Sequence, residues 1–166
     1  MRRLVVAGAL LAATLALAAA VDSAEWSTVR PGETTQAAVR ARFGAPSTVT
    51  SEKLEGYDTT RWLYEGAQAP TGAKKVTIDF GLLTPQGYKP DVVRQMLLEP
   101  KPGIFTRKTV LDGWGEPDIA SVERGRKFAA YRSGLVVYFD KEGVNAEQMY
   151  FTPPQPPAPG GAPSRR

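Results

Sequence analysis

A sixteen-residue segment that occurs twice constrains this chain more than any other feature. Residues 31–46 return 71 residues later as residues 102–117, without a gap and with six of sixteen positions identical. At a further position Phe43 is matched by the aromatic Trp114. Because a repeated segment indicates a repeated structural unit, we expect two similar units in tandem.

Each copy predicts a short helix with its own start and stop. Thr34 or Thr35 in the first copy, and Thr106 in the second, can accept a backbone N–H bond as the helix N-cap. Apolar residues four apart follow in both copies, so each helix is expected to pack on one face. Gly44 and Gly115 are predicted to end the helices in the left-handed conformation that glycine tolerates.

Three strands are predicted after each helix from runs rich in β-forming residues. They are residues 59–64, 75–80 and 92–98 in the first unit and residues 126–131, 135–139 and 144–151 in the second. The polar stretch 47–58 is interpreted as a loop. The predicted fold class is therefore α+β: two tandem units, residues 25–100 and 101–152, each a helix on a three-stranded antiparallel sheet. Together they would form a two-layer α/β sandwich, in which either the sheets abut or the helices share a layer.

The predicted core takes the apolar residues of these elements that share a face. Its members are Val39, Phe43, Val76, Ile78, Phe80, Met96, Leu98, Val110, Trp114, Leu135, Val137, Phe139, Met149 and Phe151.

The chain contains no cysteine and no histidine. This excludes disulfides, thiolate nucleophiles, Ser-His triads and most zinc or transition-metal sites. No carboxylate pair stands out as an acid/base couple, so we expect no catalytic residue, no metal and no cofactor. A hydrolase using Asp79 and Asp140 is the least favoured hypothesis, because the repeat does not align these two residues.

The charge pattern argues against nucleic acid as a partner. The 21 Lys and Arg residues against 17 Asp and Glu residues give a net charge of +4. These charges are scattered rather than gathered in the stripe that nucleic-acid binding requires.

Both ends of the chain depart from the composition of the repeat. Residues 1–24 are predicted to be a signal peptide, with Arg2 and Arg3 before an apolar run and cleavage after Ala20 or Ala24. The protein would then be periplasmic or secreted; the alternative is an uncleaved N-terminal membrane anchor. A lipid anchor is not expected, because the chain has no cysteine. Residues 153–166, with six prolines among fourteen residues, are predicted to be a disordered tail that acts as a spacer.

The pattern Pro-Gly-x-Thr-Thr-x-x-x-Val-x-x-x-Phe-Gly-x-Pro at residues 31–46, followed by Arg61-Trp62-x-Tyr64, resembles the BamE family (the SmpA/OmlA domain). The tandem duplication also resembles the β-lactamase inhibitor protein family, which binds an enzyme through one face of its sheet. The first resemblance implies a non-enzymatic protein-binding or scaffold domain at the bacterial cell envelope, similar to an outer-membrane assembly factor. The second implies the alternative function, a soluble inhibitor of a secreted or periplasmic enzyme.

A binding module of this kind is expected to use the sheet face turned away from the helices. With Val76, Ile78 and Phe80 toward the helix, alternation places Thr77 and Asp79 on that face. Aromatic residues and arginine are the types that anchor protein interfaces. The candidate partner-binding residues are Trp62, Tyr64, Arg94, Tyr138 and Tyr150, and the expected partners are envelope proteins. An alternative assignment places Trp62 and Tyr64 in the core, and the sequence leaves the oligomeric state open.

Overall fold

The computed structural model describes residues 28–155, which form two short helices and one antiparallel sheet of eight strands. The helices are α1 (Gln36–Phe43) and α2 (Arg107–Trp114). The strands of the first unit are β1 (Thr48–Leu54), β2 (Tyr57–Glu65), β3 (Ala73–Thr84) and β4 (Gly87–Pro100), with a 3-10 turn at Gly66–Gln68. The strands of the second unit are β5 (Ile119–Glu123), β6 (Arg126–Tyr131), β7 (Leu135–Phe139) and β8 (Ala146–Phe151).

The prediction of a two-layer α/β sandwich built from two helix-plus-three-stranded units is wrong. Each unit contributes one helix and four strands, and all eight strands form one sheet in the order β1-β2-β3-β4-β8-β7-β6-β5. The units are joined where β4 pairs with β8, for example Met96 with Phe151 and Leu98 with Met149. The helices are only eight residues long, so the sheet holds far more of the described residues than the helices do.

The strands that the prediction missed, β1 and β5, are the two edges of the sheet. Every residue of both strands is exposed, so neither shows the apolar alternation that marks a half-buried strand. The signal that was present lies in the turns that follow them. After β1, the φ angles are 51° at Glu55 and 87° at Gly56. After β5, they are 48° at Arg124 and 79° at Gly125. Positive φ at both central residues is the geometry of a two-residue hairpin turn.

The helix starts follow the prediction from the threonines. The Thr35 side chain accepts a hydrogen bond from the backbone N–H of Ala38, and the Thr106 side chain accepts one from the N–H of Thr109. In α2 the Thr109 hydroxyl group also accepts a bond from the Thr106 N–H at 2.8 Å. Each threonine thus satisfies a backbone donor that the first helical turn leaves without a partner.

The helix ends depend on a tyrosine of the neighbouring strand. Gly44 and Gly115 have φ of 76° and 77° with ψ of −158° and −161°, an extended conformation open to glycine rather than the predicted left-handed helical one. Their carbonyl oxygens accept hydrogen bonds from the hydroxyl groups of Tyr64 and Tyr131, at 3.2 Å in both units. The same bond therefore fastens α1 to β2 and α2 to β6. The strand pairing places Tyr64 and Tyr131 on the same face, so both helices lie on one side of the sheet.

The core lies between this side of the sheet and the helices. Most of the predicted core residues are buried, while Phe43, Trp114 and Phe151 are partly buried and pack against the others. Further buried residues were not predicted as core: Val29, Trp62, Tyr64, Ala73, Val93, Phe105, Ala129, Tyr131 and Ala146.

The terminal predictions lie mostly outside the described residues. This holds for the signal peptide of residues 1–24 and for residues 156–166 of the predicted tail. Gln155, at the start of that tail, donates a backbone hydrogen bond to the Arg132 carbonyl oxygen at 2.9 Å. Between residues 28 and 155, no helix has both the length and the apolar character needed to cross a membrane.

Removing either tyrosine hydroxyl group should destabilise the protein. We expect Tyr64→Phe and Tyr131→Phe each to lower the free energy of unfolding by about 1 kcal/mol, because each variant loses a partly buried hydrogen bond to the glycine carbonyl oxygen. Urea denaturation measures this loss. Tyr57→Phe, at a more exposed position, is the control and should stay within about 0.5 kcal/mol of wild type. Equal stability of all four proteins would contradict this account of the helix ends.

At alkaline pH, ionisation of Tyr64 should change the free energy of unfolding. Burial raises the pKa of Tyr64 to about 12, whereas an unfolded tyrosine ionises near about 10. The stabilisation linked to this phenol is complete below the unfolded pKa and is lost as the pH rises toward the folded pKa. Between these values the free energy of unfolding should fall more steeply in wild type than in Tyr64→Phe. Parallel pH profiles would show that burial does not protect this phenol.

Candidate functional site: the sheet face without helices

The sheet face opposite the helices, called the open face below, carries a row of residues that crosses all eight strands. In this row each residue pairs directly with the next: Thr48, Leu63, Thr77, Leu97, Tyr150, Val136, Ala130 and Ile119. The central six are partly exposed, and Ile119 is 57% exposed. Among residues 28–155 both helices lie on the other side, so this row has no layer over it.

Parts of β4, β7 and β8 are apolar on both faces of the sheet. Met96-Leu97-Leu98, residues 135–139 and Met149-Tyr150-Phe151 are uninterrupted apolar runs. Such runs are typical of strands that are covered on both sides, whereas a sheet with one solvated face alternates apolar and polar residues. The open face therefore carries apolar side chains where the two units meet and along β7, next to polar side chains of β3 and β4.

An aromatic cluster lies beside the row in the second unit. It consists of Phe128, Tyr138 and Tyr150, with ring centroids 5.8 Å apart for Phe128–Tyr138 and 5.9 Å for Tyr138–Tyr150. The Arg126 guanidinium lies 4.9 Å from the centre of the Tyr138 ring. The Tyr138 hydroxyl group donates to the Glu123 carboxylate at 2.9 Å, and this bond raises the pKa of Tyr138. These contacts hold Tyr138 in place before any partner binds.

A charged cluster lies on the open face of the first unit. Arg61 donates from Nε to Oδ1 of Asp79 at 2.6 Å and from its NH2 group to Oδ2 at 3.3 Å, and this pairing raises the pKa of Arg61. Arg61 also contacts Glu52 at 3.1 Å. Arg94 lies 3.6 Å from Asp79, and its buried Nε has no hydrogen-bond partner. Asp79 is thus paired with two arginines, of which Arg94 is the less fully bonded.

The structure divides the five predicted partner-binding residues into two groups. Arg94, Tyr138 and Tyr150 are partly exposed on the open face. Trp62 and Tyr64 are 5% and 0% exposed and lie in the core on the helix side, because they pair with Ile78 and Val76 of β3. Their assignment to the interface is therefore corrected to a core role, the alternative assignment given above.

Sequence reasoning missed several residues of the open face, namely Leu63, Leu97, Arg126, Phe128 and Val136. For Leu97 and Val136 the available signal was the continuous apolar run in their strands, which points to two covered faces rather than one. Leu63 and Phe128 lie outside these runs. Arg126 carried no such signal, since only the folded sheet brings it over Tyr138.

The two carboxylates of the hydrolase hypothesis have separate partners. Asp79 lies in β3 and is paired with Arg61 and Arg94 of the two adjacent strands. Asp140 follows β7 and accepts hydrogen bonds from the backbone N–H groups of Val144 at 2.7 Å and Asn145 at 3.1 Å. The bond from Val144, followed by those from Asn145, lowers the pKa of Asp140. These bonds hold the turn between β7 and β8.

Comparison with known proteins gives no relative: no family model, no curated protein and no solved structure matches the chain. The resemblances to the BamE and β-lactamase inhibitor families thus stay predictions from the quoted motifs.

Removing the carboxylate at the centre of the charged cluster should cost stability. The Asp79 side chain is 8% exposed and that of Arg61 is 42% exposed. We expect Asp79→Asn to lower the free energy of unfolding by about 2 kcal/mol, less than for a fully buried pair because solvent screens Arg61. The control is Asp58→Asn, which removes a pair with Lys53 whose side chains are 83% and 74% exposed. Thermal or urea unfolding with equal losses for both variants would contradict the central role of Asp79.

Proposed function

We propose that this chain is an exported protein-binding module of the bacterial cell envelope, which binds its partner through the open face and performs no catalysis. The observation that carries this proposal is the uncovered apolar row across the eight-stranded sheet. Export is supported by the predicted signal peptide at residues 1–24.

Burial of the row supplies the affinity in this proposal. Leu97, Tyr150 and Val136 are partly exposed side chains on three neighbouring strands, and Leu63 continues the row beyond Thr77. One partner surface can therefore cover them together. Removing apolar surface from water contributes about 25 cal/mol per Å². Association also costs freedom of motion, so a few well-packed residues rather than the whole area determine the affinity.

The aromatic cluster has the properties of such well-packed residues. Tyrosine and arginine are enriched where interface mutations cost most, and Tyr138 is already held by Glu123 and Arg126. A side chain that is fixed before binding loses less conformational entropy when the partner arrives. Tyr138 and Tyr150 are therefore the proposed anchors of the interface.

The charged cluster supplies orientation. Arg61 and Arg94 share the single carboxylate of Asp79, and the Nε atom of Arg94 lacks a partner. The Arg94 side chain is 30% exposed, so a carboxylate of the partner can pair with the exposed part of its guanidinium group, while the buried Nε atom stays out of reach. Charge complementarity of this kind directs the approach and the register of two surfaces more than it adds affinity.

Site-specific crosslinking in envelope extract from the source cell tests the proposal. A photoreactive residue at position 150 lies on the open face, whereas one at the exposed Lys108 of α2 lies on the helix side and is the matched control. Mass spectrometry should identify a protein captured from position 150 and not from position 108. Crosslinks to outer-membrane assembly components support the scaffold function, and crosslinks to one secreted enzyme support the inhibitor function. Equal capture from both positions, with a folded sample, would overturn the assignment of the interface.

Truncating an anchor should then weaken binding to the captured partner. We expect Tyr138→Ala and Tyr150→Ala each to raise the Kd about 30-fold, as for residues at the centre of an interface. Lys108→Ala, at an exposed position on the helix side, should leave the Kd unchanged. Calorimetric titration of folded variants measures these constants, and no change for either anchor would exclude the aromatic cluster from the interface.

A further inference from the structure

The helix side of the second unit contains an apolar cleft away from the open face. Its volume is about 290 Å³, and its apolar walls come from α2 and from strands β5 to β7. Ala129 and Tyr131 of β6 line it together with Val110, Leu111, Val122 and Phe139. Val122 is 60% exposed, so the cleft opens to solvent at the edge of the sheet.

The first unit shows what fills the corresponding space. Tyr64 and Tyr131 occupy equivalent positions, because each bonds the carbonyl oxygen at the end of its own helix. Two residues earlier the first unit has Trp62 and the second unit has Ala129. Trp62 is 5% exposed and its ring meets the Phe80 ring edge-on at 4.8 Å. The second unit therefore has a methyl group where the first has an indole ring.

The aromatic wall that receives the ring is present in both units. Val76 pairs with Tyr64 and Leu135 pairs with Tyr131, so Phe80 and Phe139, four residues further along their strands, are equivalent. Phe139 lines the cleft. A ring in the cleft can thus lie against Phe139 as Trp62 lies against Phe80.

We propose that this cleft is a binding site for a small planar aromatic molecule of about the size of indole. Apolar cavities of roughly 150 Å³ already accept a single benzene ring, and ligand sites are mostly apolar clefts of about 300 Å³ or more. Arg107 and Lys127 also line the cleft, against one acid, Glu116. The site therefore favours a neutral or carboxylate-bearing ring over a cationic one.

This site lies on the other side of the sheet from the proposed protein interface, although Phe128 of the aromatic cluster also lines the cleft. Ala129 faces the helices, whereas its neighbours Phe128 and Ala130 lie on the open face with Tyr138 and Val136. A ligand in the cleft and a partner on the open face would contact opposite sides of the same strand.

Titration with indole tests the site in the full chain. Isothermal calorimetry and ligand-observed NMR should show saturable binding to one site in wild type. Ala129→Trp should weaken this binding at least tenfold and raise the Tm, because the new ring fills the cleft as Trp62 does in the first unit. Ala130→Trp adds the same ring on the opposite face and should leave the indole affinity unchanged. If Ala129→Trp does not fold, Ala129→Leu gives the same comparison with a smaller filling group.

Two results would overturn the proposal. One is the absence of saturable indole binding to folded wild type, which would mean that the cleft is empty or takes another occupant. The other is an equal indole affinity in wild type and in the folded variant that fills the cleft. Binding of a cationic indole derivative as tightly as indole-3-acetate would contradict the inferred charge preference.

Discussion

The pairing of β4 with β8 is the interaction on which the rest of the structure depends. Three residues of each strand, 96–98 and 149–151, form this junction. It joins two four-stranded sheets into one sheet with a shared core. It also brings Leu97 beside Tyr150, so the row on the open face continues from one unit into the other. Both the core and the proposed interface therefore rely on this contact.

The two units share the same helix caps and strand order, and they differ in the side chains on both faces of the sheet. The threonine N-cap, the glycine at the helix end and the tyrosine that bonds it occur in both units. On the open face, the first unit has an arginine-aspartate cluster and the second has an aromatic cluster. On the helix side, Trp62 fills a space that Ala129 leaves open. Duplication has thus produced one scaffold with two different surfaces on each side.

Much of the framework could be predicted because its signals are local. Caps and apolar spacing located both helices, and β6 and β7 were predicted to the residue. The edge strands could not be found by alternation, since neither of their faces is buried. The sequence also could not predict which face of the sheet Trp62 and Tyr64 lie on. Alternation shows that two residues share a face, but not whether that face carries the helices. Their pairing with Ile78 and Val76 decides this, and such pairing is a property of the folded sheet.

The position of β8 at the end of the sheet-forming chain has a consequence for how the protein folds. The strand that completes the junction is the last of the eight described strands to be synthesised, some fifty residues after β4. Until it arrives, β4 has an unpaired edge flanked by apolar side chains, which is a template for wrong strand pairing. Contacts between residues so far apart in sequence form slowly. The first unit therefore carries an open β4 edge until β8 has been synthesised.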